Sequence, residues 1–212
     1  MNVLVACEFS GTVRDAFRRR GHNAWSCDLL PTEKPGDHFC CPVDWVLSEN
    51  KHDEWRWDLM IAHPPCTHLA VSGARWFKGK AKEQAEAIRF VEMLWSANVP
   101  RIAIENPVGV LPRLSKLGKA TQYIQPWQFG HGETKKTGLW LKNLPPLEST
   151  NVVEGREGRV WKMPPGPDRW KERSRTYVGI AEAMADQWGC LPNAALRGGE
   201  AVPSNGVVGE SV

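Results

Sequence analysis

Residues 2–28, NVLVACEFSGTVRDAFRRRGHNAWSCD, decide the fold. NVLVAC is a short apolar run rich in β-branched residues and reads as a buried strand. FSGT turns the chain. Thr12 stands where a helix cap belongs, Val13, Ala16 and Phe17 share one face of the helix that follows, and Gly21 ends it. NAWSCD is a second strand that closes on an acid, Asp28. Strand, tight turn, helix, strand, acid is the opening of a nucleotide-type α/β domain.

Further along, FCCPVDWVL reads as a short strand and a helical turn, and WDLMIA (57–62) as a third clear strand stopped by HPPC. THLAVSGARWFKGK is a Gly- and Lys-bearing loop. Residues 81–97 form the best helix, with Ala85, Ile88, Val91, Met93, Leu94 and Trp95 giving one dominant apolar face. RIAIE (101–105) is a fourth strand stopped by Asn-Pro. YIQPWQFG and TGLWLKNL read as two more strands, antiparallel at a sheet edge. This predicts a catalytic and cofactor-binding core over 1–147, an irregular basic arm over 148–172, and a closing helix within 173–190 capped by Gly189. A small, polar, Gly-rich tail over 191–212 reads as disordered.

Composition bounds the rest. With 212 residues, 42% of them hydrophobic and 24% charged, the chain is neither disordered nor fibrous and can bury a core without staples. A net charge of +3 permits a nucleic-acid partner without demanding one. No apolar run approaches the roughly 18–20 residues of a membrane span. MNVLVACEFSG is too short for a signal peptide and has no leading Lys or Arg, so we expect a soluble, cytoplasmic protein. The six cysteines include no CxxC pair and read as free thiols. His38, Cys40, Cys41, His63, Cys66 and His68 crowd together, but adjacent Cys40-Cys41 is poor zinc geometry and no second spaced pair exists, so no metal is expected. Eleven tryptophans supply packing residues and candidate stacking platforms.

Three motifs lie just past strand ends, where open α/β sheets bind ligands. In PPC, two prolines stiffen the turn that holds Cys66. The following loop carries Arg75, Lys78, Lys80 and Lys82 with no acid between them, a setting that lowers a thiol pKa and favours a nucleophile over an inert buried cysteine. In ENP, Glu105 is either a desolvated acid with a raised pKa or a strand-end residue solvated or paired with Arg101 or Lys119. In FSG, Gly11 permits close approach of a cofactor, or simply a tight turn with a helix cap. Asp28 sits where an acid accepts ribose hydroxyls. The absence of G-x-G-x-x-G disfavours a pyrophosphate, and S-adenosylmethionine fits better.

On these residues the chain resembles the DNA cytosine-5 methyltransferase family. FSG resembles its first cofactor motif, Asp28 its ribose-binding acid, PPC its nucleophile motif and ENP its glutamate motif. Ser72-Gly73 stand six and seven residues after Cys66, as in the family's mobile catalytic loop. SRTYVGIAEAMADQW is similar in position to the closing motif, and its short form looks like bacteriophage or prophage members. The resemblance covers about residues 1–147 and 174–189. The sequence departs from the family at FSGTVR, at Thr67 for the usual glutamine and at Pro107 for the usual valine. Lys135-Lys136 stand nearest to the usual Arg-x-Arg, and residues 148–172 take the place of the large target-recognition domain.

The resemblance implies a Rossmann-like S-adenosylmethionine-dependent methyltransferase fold, its sheet mostly parallel with antiparallel edge strands. It implies a monomer acting on cytosine-containing DNA through a covalent Cys66–C6 intermediate, the base flipped out of the duplex, with short or relaxed sequence specificity. Cys66 and Glu105 would be catalytic. Phe9, Gly11, Asp28, Leu29, Asp44, Pro65, Thr176 and Tyr177 would hold the cofactor. Ser72, Gly73, Arg75, Lys78, Lys135, Lys136, Arg159 and Lys162 would meet nucleic acid. Two alternatives keep the fold: a related C5-modifying transferase acting on a nucleotide or RNA, and a nucleic-acid-binding relative without turnover.

Overall fold

The structure is a computed structural model and describes residues 1–48, 56–71 and 79–192. The opening run forms β1 (Asn2–Ala6), α1 (Thr12–Arg18) and β2 (Asn23–Asp28), as its periodicity predicts. Then come β3 (His38–Cys40), α2 (Val43–Ser48), β4 (Leu59–Ala62), α3 (Ala81–Trp95), β5 (Arg101–Pro107) and α4 (Leu111–Leu114). β6 (Gln122–Ile124), a 3-10 turn (Pro126–Gln128) and β7 (Thr137–Lys142) follow. α5 (Arg159–Lys162), α6 (Arg169–Ser174) and α7 (Val178–Gly189) complete the described chain.

The seven strands make one sheet in the order β3-β2-β1-β4-β5-β7-β6. β1 through β5 pair in parallel, and β7 runs antiparallel to both β5 and β6. This is the expected Rossmann-like sheet, mostly parallel with an antiparallel edge. Successive strand residues face opposite sides. Val3, Val5, Leu59, Ile61 and Leu139 join Phe17 of α1 and Met184 and Trp188 of α7 in one core. Leu4, Ala6, Met60, Ile102 and Ile104 join Val46 of α2 and Val91 and Leu94 of α3 in the other. Strand order reverses about β1: β2 and β3 lie to one side, β4 and β5 to the other. Ligands bind outside the carboxyl ends of strands at such a switch point.

Several local expectations are corrected. Thr12 is the first helical residue rather than a cap, and the N-cap, Gly11, has no side chain to bond. Glu8 caps the helix instead. Its carboxylate accepts the backbone N–H of Val13 at 2.7 Å and of Arg14 at 3.2 Å, satisfying donors that a helix start leaves open. β5 continues through Asn-Pro, since Glu105, Asn106 and Pro107 pair with Leu139, Gly138 and Thr137. Pro107 lies past the end of β4, so its missing N–H breaks no ladder bond on that side. Gly189 belongs to α7 itself, and a Cβ there would stand 2.5 Å from His22 Nε2. The arm carries two short helices, α5 and α6, rather than being wholly irregular. The expected tail lies outside the described residues, save Leu191 and Pro192.

Candidate active site

β1 and β4 are in-register neighbours, Ala6 beside Ala62, so the turns that follow them emerge together. The first carries Phe9 and Gly11, the second His63, Pro64, Pro65 and Cys66. His63 extends the ladder by donating its N–H to the Ala6 carbonyl at 2.9 Å. Asn106 of β5 is buried, and its amide donates to the Pro64 carbonyl at 3.0 Å. The ENP segment therefore holds the PPC turn directly. The following residues are held too: Val110 N–H donates to the Leu69 carbonyl, and Val71 N–H to the Val108 carbonyl. Gly109 makes that approach possible, because a Cβ there would lie 2.0 Å from the Leu69 oxygen.

One step past the last β4–β5 pair, Ala62 beside Ile104, stand His63 and Glu105. In-register neighbours on parallel strands point to the same face, and His63 Nδ1 lies 2.5 Å from Glu105 Oε2. Both side chains are largely enclosed, 9% and 12% exposed. Burial alone would push the Glu105 carboxyl up, but the hydrogen bond and charge of His63, with Lys135 beyond, hold it below the usual carboxylate range. Burial alone would push the His63 imidazole down. The bond to Glu105 and the charges of Glu105 and Glu8 lift it above the ordinary histidine value. Each group thus favours the charged form of the other, and Glu105 is neither the raised acid nor the Arg101 partner that the sequence offered as alternatives. Arg101 is buried and donates instead to the Pro192 carbonyl.

Cys66 is partly buried, and burial pushes its thiol pKa up. Lys135 and Arg173 oppose that shift, and Glu105 adds to it. Among the described residues, the cations that oppose this shift come from the segment before β7 (Lys135) and from α6 (Arg173). Of the loop after Cys66, Ser72, Gly73, Arg75 and Lys78 lie outside the described residues. Glu105, Lys135, Thr137, Thr176 and Tyr177 line one small cavity together. Lys135, expected among the nucleic-acid contacts, shares that cavity with Glu105, its Nζ donating to the Arg175 carbonyl at 3.3 Å.

The residues expected to hold a cofactor include several at the carboxyl ends of β1, β2 and β3. Asp28 Oδ1 accepts the Leu30 N–H at 3.0 Å, leaving capacity for further donors on the carboxylate. Leu29 and Trp45 are each 72% exposed, and Asp44 is exposed at the start of α2. Pro65 is exposed on the PPC turn. Gly11 has φ 67, and a Cβ there would meet the Arg14 guanidinium at 2.5 Å, so its freedom makes room for Arg14. Arg14 is the main residue that sequence reading missed. Fully buried, it donates to Ser26 Oγ, Thr32 Oγ1 and the carbonyls of Lys34 and Pro35, and pairs with Asp15. It thereby pins the loop that follows Asp28.

The arm folds back over this edge. Trp170 of α6 packs on Phe9 with ring centroids 5.9 Å apart, and Arg175 pairs with Glu33. Tyr177 donates its hydroxyl to Glu133 at 2.7 Å, and both burial and that bond raise its pKa. Arg159 Nε meets both Glu133 oxygens at 2.9 Å, so this nucleic-acid candidate is engaged with the core. Lys136 and Lys162 are exposed, lying over the Tyr123 and Trp161 rings respectively. Among the described residues no group of three His, Cys, Asp or Glu side chains comes together as a metal cluster, and no helix is long and apolar enough to cross a membrane.

No family model matches the sequence, and no curated protein matches it. Among solved structures, the chain is similar to a candidate DNA modification methyltransferase encoded within a prophage of E. coli, with a TM-score of 0.46 and 11% identity. The match covers 66% of this chain and 46% of that one, so the chain spans less than half the length of this neighbour.

Proposed function

We propose that this chain is a DNA methyltransferase acting at C5 of cytosine through a covalent bond between Cys66 and C6. The observation that carries the reading is the convergence of Cys66, the carboxylate of Glu105 and the ammonium of Lys135 at the carboxyl edge of β4 and β5. Cytosine C5 is a poor nucleophile until C6 is attacked. The Cys66 thiol first loses its proton to solvent, and Lys135 and Arg173 offset the burial that opposes the thiolate. As sulfur bonds to C6, Glu105 bonds N3 and the exocyclic amine, holding the ring in its enamine form. Elimination of the thiol after the C5 proton leaves restores the aromatic ring. Duplex DNA hides these atoms in the stack, so the base must be extruded.

The residues at the carboxyl ends of β1, β2 and β3 suit S-adenosylmethionine, which when bound supplies an electrophilic methyl group. Asp28 offers a carboxylate to ribose hydroxyls, and Asp44 one to the adenine amine. Leu29 gives an open apolar surface, and Phe9, Gly11 and Pro65 lie on the turns after β1 and β4; Thr176 and Tyr177, also expected to hold the cofactor, stand instead in the cavity with Glu105 and Lys135.

For substrate, residues 156–175 hold seven Lys or Arg against three acids, which favours a polymer over a free nucleotide. The chain should be a soluble monomer working in the cytoplasm of a bacterial host, with phage or prophage kin. Nucleoside mass spectrometry of DNA from cells expressing the protein tests the reading. 5-Methylcytosine with wild type and none with Cys66→Ser supports it. A different modified base would favour the related C5-transferase, and unmodified DNA the RNA, nucleotide or inactive alternatives.

A further inference from the structure

A carboxylate held ionised has no proton to deliver, yet the reaction proposed for Glu105 needs one at N3. We propose that His63 is a positioning residue behind Glu105, and that the proton shared between its Nδ1 and the Glu105 carboxylate is the one Glu105 passes to the target ring. The inference rests on the cytosine reading above.

Geometry carries it. The β4–β5 register sets the two side chains on one face, the 2.5 Å contact is short enough for a shared proton, and both groups are enclosed. His63 Nε2 is buried and has no hydrogen-bond partner among the described residues. That excludes the resting geometry of a Cys-His-Glu hydrolase, in which Nε2 would bond the thiol. His63 thus faces Glu105, not Cys66. The charges about it are Glu105 on β5, Glu8 after β1 and Lys135 before β7. Two carboxylates against one ammonium favour the imidazolium.

The proton account balances. When the thiolate bonds to C6, the C5=C6 pair moves to C4–C5 and the N3=C4 pair to N3. N3 takes the shared proton, which passes from Nδ1 through Glu105, leaving Glu105 a carboxylate and His63 neutral. When C5 takes the methyl group, positive charge develops across N3 and C4, and the N3 proton returns through Glu105 to Nδ1. Water then takes the C5 proton, its electron pair re-forms C5=C6, and the pair of the S–C6 bond leaves with sulfur.

His63→Gln keeps a donor to Glu105 but cannot supply the proton. It should lower kcat for C5 methylation by about 10²–10³-fold with KM for DNA nearly unchanged, and erase the alkaline limb of the wild-type kcat–pH profile. A variant with wild-type kcat and the same alkaline limb overturns the inference. Nitrogen-15 NMR of the His63 ring supplies a readout independent of turnover. The wild-type ring should titrate above the ordinary 6.5, and Glu105→Gln should bring it down. A wild-type ring already neutral at pH 6 overturns the shared proton even if methylation occurs. Absence of 5-methylcytosine from wild type sinks the cytosine reading, and with it the destination of the proton, whatever the ring titration gives.

Discussion

Replacing Arg14 by Met removes the guanidinium and keeps most of the buried stem. Five acceptors then lose their donor: Ser26 Oγ, Thr32 Oγ1, Asp15 Oδ1 and the carbonyls of Lys34 and Pro35. Each bond from a charged donor contributes about 1.5–3 kcal/mol net. Simple addition overshoots, because residues 32–35 are exposed enough for their carbonyls to turn to water. Ser26 is fully buried but keeps His38 Nδ1 at 2.9 Å as a partner. The expected loss is therefore about 3–5 kcal/mol, the range for breaking a buried charged network. At roughly 2–4 °C per kcal/mol for a chain of this size, that lowers Tm by about 6–20 °C. Urea unfolding followed by tryptophan fluorescence measures the stability. Titration with S-adenosylmethionine measures the second effect, since the freed loop begins at the residues after Asp28 and cofactor affinity should fall with it. A loss below about 1 kcal/mol, with unchanged affinity, would refute the view that Arg14 organises this edge.

The His63–Glu105 pair makes stability depend on pH. Glu105 sits below its ordinary 4.5, so its contribution is present above that value and lost as pH falls through the lowered pKa. His63 sits above its ordinary 6.5, so its contribution is present below that value and lost as pH rises through the raised pKa. The pair should stabilise most between pH 4.5 and 6.5, and urea midpoints of Glu105→Gln across pH should lack that component of the curve. Asn106→Ala should cost about 1–3 kcal/mol by freeing the buried Pro64 carbonyl. It should also lower kcat more than cofactor affinity, as single-turnover assays and calorimetry would show. Gly109→Ala drives a methyl group into the Leu69 carbonyl, so thermal unfolding should reveal a loss well beyond the few tenths of a kcal/mol of a surface change. Lys162→Ala should weaken DNA binding equally for all sequences and reduce the salt slope by about one unit, whereas relaxation at one base position would identify a base contact.

Much of the edge was legible in the chain alone. Cys66, Glu105 and Asp28 each follow or end an apolar run, and a run short enough to be a strand places its next residue at a sheet edge. Other features left a faint mark. Glu8 precedes a helix start, but four residues ahead of Thr12 rather than at the cap position, because the turn at Cys7 and Gly11, with φ of 59 and 67, swings it back over the helix. Arg14 stands in the sequence among the four arginines of VRDAFRRR, with nothing to single it out. Its burial depends on the loop from Pro31 to Asp37 folding across it, which no period in the helix encodes.

Sequence by itself determined the strand–helix alternation, the break to an antiparallel edge and the position of the three motifs, because side-chain periodicity and turn chemistry act over a few neighbouring residues. Tertiary structure alone decided which side chain stands against Glu105 and which of the described cations act on the thiol. His63 and Glu105 are 42 residues apart in the chain, and β4–β5 register, not spacing, joins them. A pKa follows burial and through-space distance. Both are properties of the packed sheet, so the strand alone leaves Glu105 open between a raised acid and a solvated or paired residue, and His63 beside it holds the carboxyl below its ordinary value.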